Sequence, residues 1–308
     1  MRSTFITSLI ELAKKDKNIF LLVGDLGFSF IEKYQHLFPD RFINAGIAEA
    51  NMIGVSAGLA LSGKKPFVYS ISPFVTMRCF EQVRIDLCEQ NLNVILVGVG
   101  GGIGYGTAGP THQAPEDISI MRSLPNMTVI CPSDKTELRL LLKKIEHLKG
   151  PAYIRLSKDN ALELYKTEPD FEIGKGIIKE EGKDATLITT GDTLSLGIEV
   201  HNLLKKKGVS LRLVSMHTVK PIDSELILKC HKETKWVYTL EEHNIIGGLG
   251  STVAEVLANS NTHVRFRKFA LPDKFQKIAG SKEYLLSKNN LSKEGISSII
   301  LKDVSKPI

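Results

Sequence analysis

Val94-Ile95-Leu96-Val97-Gly98-Val99-Gly100 is an apolar, β-forming run that ends in glycine. Four aliphatic residues in a row, with no polar alternation, describe a strand buried on both faces, which is the habit of a parallel sheet. The surrounding sequence repeats the theme. Upstream, residues 74–89 are predicted helical, Phe67-Val68-Tyr69 is a strand, and residues 49–61 form a helix rich in small side chains. Earlier still, Ile19-Phe20-Leu21-Leu22-Val23 is a buried strand ending at Gly24-Asp25. Ser3 is placed to cap a first helix with Phe5, Ile6, Leu9, Ile10, Leu12 and Ala13 facing inward. Downstream, Asp134 is the N-cap of another helix and Tyr153-Ile154-Arg155-Leu156 closes the series. Strand–helix alternation of this kind folds as a mostly parallel sheet covered on both faces.

From residue 159 to 183 the rhythm breaks: Pro169, Gly174, Gly176 and mixed charges read as a linker with one short edge strand. A second series follows, with strands at Thr186-Leu187-Ile188-Thr189, Leu211-Arg212-Leu213-Val214, Trp236-Val237-Tyr238-Thr239 and Val264-Arg265-Phe266. Its helices are expected near 194–206, 224–231 and 251–257. The predicted fold is therefore α/β: two consecutive, mostly parallel, three-layer domains at 1–160 and 184–308, joined by a linker at 161–183. A chain of 308 residues is long enough for two such cores.

With 43% hydrophobic and 24% charged residues, the composition excludes a disordered chain, and four cysteines exclude a disulfide scaffold. Lys and Arg number 40 against 34 Asp and Glu, a formal charge of +6, but the lysines are scattered. Lys143-Lys144 and Lys205-Lys206-Lys207 fall at predicted helix ends, where cations complement the helix dipole. No basic stripe with interleaved aromatics appears, so no nucleic-acid partner is expected. Cys79, Cys88, Cys131 and Cys230 form no Cys-x-x-Cys pair and have no His at zinc-finger spacing, so no metal site is expected on this chain. No apolar run reaches the ~18 residues that span a bilayer. The amphipathic start differs from a signal peptide, and the expectation is a soluble cytoplasmic protein without a membrane partner.

In open α/β sheets ligands bind beyond the carboxyl ends of the strands. That points to Gly24-Asp25, the Glu49 region, residues 70–74, residues 98–112 and residues 156–159. No G-x-x-x-x-G-K-[ST] occurs, which excludes a P-loop. Gly104, Gly106 and Gly109 have dinucleotide-loop spacing, but Pro110 follows them and the strand is not the first. The glycine run instead suits a lid or lining loop that positions His112. Glu49 opens a helix that is otherwise small and apolar, where desolvation readies a carboxyl to share a proton. A first-turn glutamate complementing the helix dipole is the plainer alternative. His112 has one too, a loop histidine with a structural hydrogen bond.

Taken together, residues 46–52 (Gly-Ile-Ala-Glu-Ala-Asn-Met), 72–83, 109–113 (Gly-Pro-Thr-His-Gln) and 156–160 resemble the carboxyl-terminal half of transketolase. Lys220-Pro221-Ile222-Asp223, Glu241-Glu242-His243 and Gly247-Gly248-Leu249-Gly250 extend the resemblance into that family's C-terminal domain. More broadly the chain is similar to thiamine-diphosphate enzymes such as deoxyxylulose-phosphate synthase. The resemblance implies thiamine diphosphate as cofactor, with its pyrimidine end on residues 1–160. Glu49 would hydrogen-bond N1′ of the aminopyrimidine and promote the imino form that activates the thiazolium carbon. Phe74 would stack on the pyrimidine, Asp25 and Arg78 would lie near the cofactor, and His112 would face the reacting oxygen. Arg2, Ser29 and Lys158 fall where the family binds a substrate phosphate, and two cations with a hydroxyl suit a dianion. Two positions depart: Ala108 stands where the family often has an Asp that reads a substrate hydroxyl, and Gly100 where it has a histidine.

A full-length transketolase also has an amino-terminal domain that holds the diphosphate through a metal, using Gly-Asp-Gly and a downstream Asn. Gly24-Asp25-Leu26 and Gly191-Asp192-Thr193 do not continue that way. The resemblance therefore implies one subunit of a split transferase, partnered by an N-terminal subunit that carries Mg²⁺ or Ca²⁺, as an α2β2 heterotetramer. Its reaction would move a two-carbon ketol unit between a ketose and an aldose, as sugars or sugar phosphates of carbohydrate metabolism. The alternatives are the β subunit of a 2-oxoacid dehydrogenase, a split deoxyxylulose-phosphate-synthase-like enzyme, and a non-catalytic scaffold subunit.

Overall fold

The computed structural model describes residues 1–158, 162–260 and 264–305. Asp159 and Asn160, part of the last motif of the first half, lie outside the described residues. The strands, in chain order, are β1 (Ile19–Val23), β2 (Phe42–Asn44), β3 (Lys65–Ile71), β4 (Ile95–Val99), β5 (Thr128–Ile130) and β6 (Ala152–Leu156). They continue with β7 (Ile177–Glu180), β8 (Ala185–Thr189), β9 (Leu211–Ser215), β10 (Thr218–Lys220), β11 (Trp236–Asn244) and β12 (Phe266–Leu271).

Among the described residues these strands form two sheets, in the orders β10-β5-β6-β4-β3-β1-β2 and β12-β11-β8-β9-β7. Every pairing is parallel except β10 against β5 and β7 against β9, at one edge of each sheet. In the first sheet side chains alternate between two cores. Leu21, Val23, Phe67, Tyr69 and Val97 meet the helix Arg2–Lys15 through Phe5 and Leu9. Leu22, Val68 and Leu96 meet Met52 and Ile53 of the helix Glu49–Leu61 on the other face. The expected α/β class with two parallel, helix-covered sheets is what the chain adopts.

The structure departs from the sequence reading in three places. Residues 74–89 are not one helix but Ser72–Thr76, a short turn at Phe80–Gln82 and a π-helical stretch, Val83–Glu89. Thr76 Oγ1 donates to the Ser72 carbonyl at 2.6 Å and Cys79 Sγ to the Val75 carbonyl at 3.2 Å, side-chain bonds that compete with a straight helix. The division at residue 184 is also not clean, because β10 leaves the second half and pairs with the first sheet. Val219 is buried in the first domain's core, and Lys220 Nζ donates to the carbonyls of Arg122, at 3.0 Å, and Leu124. The last strand begins at Phe266 rather than Val264.

β6, β4, β3 and β1 are successive neighbours in the middle of the first sheet, so their carboxyl ends open side by side. Gly24-Asp25, the Ser72 turn, Gly100 and Lys158 therefore project into one region. The carboxyl end of β11, carrying Glu241-Glu242-His243, faces it from the second sheet through contacts to the glycine loop.

Candidate active site

Glu49 is the first residue of its helix and is 4% exposed. Its carboxylate lies under the strand ends: Oε1 is 3.4 Å from Ser70 Oγ on β3, and a methyl on Gly24 after β1 would sit 3.4 Å from it. Arg78 Nη1 approaches Oε2 at 3.3 Å and Oε1 at 3.5 Å. The wholly apolar setting expected for Glu49 is thus replaced by a hydroxyl and a guanidinium. The broken helix is the reason, since it turns Arg78 back toward the carboxylate. Cys79 lies beside them, its thiol pushed up to about 12 by burial first and by the Glu49 charge second, which keeps it protonated and inert.

The Arg78 guanidinium also lies on the Phe74 ring, 3.6 Å from its centroid. Phe74 in turn meets the His112 ring edge-on at 5.3 Å. His112 Nδ1 is 2.9 Å from Thr111 Oγ1, and its backbone N–H donates to the Gly109 carbonyl at 3.1 Å. Gly102 and Ala114 exchange backbone hydrogen bonds of 3.0 and 2.8 Å, closing the intervening residues into a compact loop. Phe74, Arg78, Thr111, Gln113 and Phe275 line a cavity of about 450 Å³. Gln113 Nε2 is buried there with no hydrogen-bond partner among the described residues, a donor in need of an acceptor.

Asp25 adopts a left-handed backbone, φ 53°, and is held by Asn44 at the end of β2. Asn44 Oδ1 accepts from the N–H groups of Asp25 and Gly46, both at 3.0 Å, and its Nδ2 donates to Asp25 Oδ1 at 3.2 Å. Ser29 is exposed, with φ 70°, and its N–H donates to Glu32 at 2.7 Å. Arg2 lies over the ring of Phe30, 4.3 Å from its centroid, which brings it beside the Ser29 loop. Lys158, after β6, lies 4.5 Å from the centroid of Tyr105. The buried hydroxyl of Tyr69 on β3 interacts electrostatically with both Arg2 and Tyr105, so the two cations border one neighbourhood. Among the described residues no cluster of three or more His, Cys, Asp or Glu could hold a metal ion.

The second domain supports this region through buried polar groups the sequence did not single out for it. Glu242 Oε1 accepts the N–H of Ile103 at 2.7 Å, and Lys282 pairs with its other oxygen at 2.5 Å. Gly102 has φ 63°, and a Cβ there would lie 2.5 Å from the Glu242 carbonyl, so only glycine lets the loop pass. Arg155 donates to that carbonyl at 2.8 Å and to Asp117 at 2.8 Å. Tyr153 joins Asp117, at 2.7 Å, to Ser72, at 3.3 Å, where the segment carrying Phe74 begins. The alternation reading placed Tyr153 and Arg155 on a buried strand, and an arginine in such a strand is the signal that a buried acidic partner exists.

Residues 1–162 match the family described as transketolase, pyrimidine binding domain, and residues 174–296 match the transketolase C-terminal domain. One of the two subunits of an apulose-4-phosphate transketolase from Phocaeicola vulgatus is 35% identical over 99% of this chain and 97% of its own length. A 6-deoxy-6-sulfo-D-fructose transketolase subunit from a Clostridium species is 38% identical over 96% of this chain and 92% of its own. A solved structure described as a split gene transketolase, inactive β4 tetramer, superimposes with a TM-score of 0.88 at 36% identity, over 99% of this chain and 97% of the other. A 1-deoxy-D-xylulose-5-phosphate synthase of Microcystis aeruginosa is 36% identical, but the matched region is only 42% of its length. No helix of the described residues is long and apolar enough to cross a membrane.

Proposed function

The chain belongs to the transketolase family and is the C-terminal subunit of a split transketolase; we propose that its strand-end site is the pyrimidine half of a ketol-transfer centre built on Glu49. The observation that carries this reading is a buried carboxylate that shares its opening with an aromatic ring, Phe74, and an imidazole, His112. A pyrimidine-binding transketolase domain implies thiamine diphosphate, and the residues present suit it. A buried carboxylate needs a hydrogen-bond donor. Arg78 supplies one here, and because its planar guanidinium touches both Phe74 and Glu49, those two contacts are within reach of an aminopyrimidine. Arg78 is half-exposed and free to turn outward when that ring arrives.

Thiamine diphosphate, when bound, supplies a nucleophilic carbon for the carbonyl of the donor sugar. Glu49 holds a proton against N1′ of its pyrimidine, Phe74 gives the ring a flat face, and Asp25 borders it from β1. His112, with Nδ1 engaged by Thr111, keeps Nε2 for an oxygen of the substrate. Arg2, Ser29 and Lys158 hold the anionic end of the sugar. The names of the two relatives support an anionic end, one substrate being a phosphate and the other a sulfonate. The diphosphate and its Mg²⁺ or Ca²⁺ belong to the N-terminal subunit, and two copies of each subunit complete an α2β2 enzyme.

Co-expression with the N-terminal subunit tests this. The purified complex is expected to transfer two-carbon units between ketoses and aldoses, with dependence on thiamine diphosphate and Mg²⁺, and this chain alone is expected to transfer none. Robust turnover by the chain alone, or none by the complex across a broad panel of ketose and aldose phosphates, would sink the proposal.

A further inference from the structure

We propose that Tyr105 is a specificity-determining residue that meets the middle of the substrate, between the reacting end at His112 and the anionic end at Lys158. The inference rests on the ketol-transfer reading above and goes beyond it.

It starts from Gly100. The Gly100 N–H donates to the Leu156 carbonyl at 2.7 Å, which pins the glycine between the ends of β4 and β6. Its φ is 71°, and a Cβ there would lie 2.3 Å from Cε2 and 2.4 Å from Cδ2 of Tyr105. The phenol ring therefore occupies the space that any side chain at position 100 would fill. The same Cβ would be 3.5 Å from Cβ of Lys158, so the ring sits at the foot of that lysine. The turn holds it there, with the Ala108 N–H donating to the Tyr105 carbonyl at 2.9 Å.

Tyr105 completes a row of side chains. Phe74 and His112 are 5.3 Å apart by ring centroid, His112 and Tyr105 6.0 Å, and Lys158 Nζ is 4.5 Å from the Tyr105 centroid. The row begins at the Glu49–Arg78 pair and ends at an ammonium. A sugar with a reacting carbonyl at one end and an anion at the other lies along it, and Tyr105 is the side chain between the two. Its chemistry suits that place. Ala108 and Gly100 present no polar side-chain atom, whereas a phenol can both donate to and accept from a sugar hydroxyl. Its ring also carries the Lys158 ammonium on one face, which fixes where the anion is read. The substrate class is thus an aldose or ketose with a terminal phosphate or sulfonate and a free hydroxyl between that anion and the carbonyl.

The test uses the complex with the N-terminal subunit, thiamine diphosphate and Mg²⁺. Hydroxypyruvate and ketose phosphates serve as donors, and aldoses of different length, with and without a terminal phosphate, as acceptors. Tyr105→Phe keeps the ring and removes the hydroxyl, and is expected to raise KM for the preferred acceptor about tenfold with little change in kcat. Tyr105→Leu is expected also to lower the preference for the phosphorylated over the plain acceptor, since Lys158 loses its ring. Thermal unfolding and thiamine-diphosphate affinity, which a merely structural role would move, should stay at wild-type values in Tyr105→Phe. Wild-type KM and wild-type preference in Tyr105→Phe, in a complex that transfers ketol units, would overturn the proposal and leave the ketol-transfer reading intact. A wild-type complex that transfers nothing would overturn both.

Discussion

Glu49 can be neutralised without opening a hole, because glutamine keeps its shape and the only cation facing it among the described residues, Arg78, is half-exposed and can return to water. Glu49→Gln should therefore leave thermal unfolding near wild type. What it removes is the group that holds a proton at the pyrimidine, and positioned proton transfer contributes about 10²- to 10⁴-fold. A fall in kcat of that order is expected in the assembled enzyme, measured by steady-state ketol transfer beside a thiamine-diphosphate titration. Full activity would remove Glu49 from the mechanism. At this scale the sequence was legible where a residue type was odd for its place, as with a glutamate opening a small, apolar helix or a histidine after Gly-Pro-Thr. Asn44 was not legible. Its carboxamide organises Asp25 and Gly46 across a separation of nineteen residues, a contact that only the adjacency of β1 and β2 creates.

The elements that hold the site are the glycine loop and the strand that crosses between halves. Glu242 ties the loop to β11, and removing a buried, paired carboxylate leaves Lys282 without one of its counter-charges and Ile103 without its acceptor. Such losses cost about 3–5 kcal/mol. Glu242→Ala should lower the denaturation midpoint and disorder the loop, seen as faster amide exchange at residues 102–106. The crossing strand brings His217, which stacks on Phe171 at 4.2 Å and whose carbonyl accepts the Cys131 N–H at 2.6 Å. Burial holds its imidazole down from 6.5 to about 4, with Asp223 opposing. Between those values the unfolded chain binds a proton that the folded chain refuses, so this histidine destabilises the fold as pH falls from 6.5 to 4 and contributes nothing above 6.5. The slope should amount to about 3 kcal/mol across the window and flatten in His217→Gln, by urea denaturation at several pH values. The core strands were legible because continuous aliphatic runs bury on both faces. Short β10 was not, since Thr218-Val219-Lys220 before Pro221 resembles any loop until the first sheet supplies its partner.

The whole molecule buries two cores and still exposes large apolar side chains beside its cavity. Ile47, two residues before Glu49, is 76% exposed, Phe275 on the cavity wall 75%, and Phe28 in the β1 loop 66%. Gly54 and Gly58 of the following helix have open space where a side chain would stand. Apolar groups gathered around a catalytic opening are poorly explained by solubility and well explained by a surface that another chain covers. The missing Gly-Asp-Gly of a diphosphate site points to the same partner by another route. Ile47 then becomes the most informative position, because its side chain is solvated in this subunit and desolvated in the complex. Ile47→Asp should leave the isolated chain's unfolding unchanged, since the side chain supports no core. It should weaken association with the N-terminal subunit by at least about tenfold, because an apolar anchor is lost and a charge must be buried. Light scattering and a subunit titration would show both effects, and activity should return at high partner concentration if the site itself is undamaged. Undiminished association would mean that the partner approaches from elsewhere, and that the exposed residues around Glu49 cover a cofactor rather than meet a subunit.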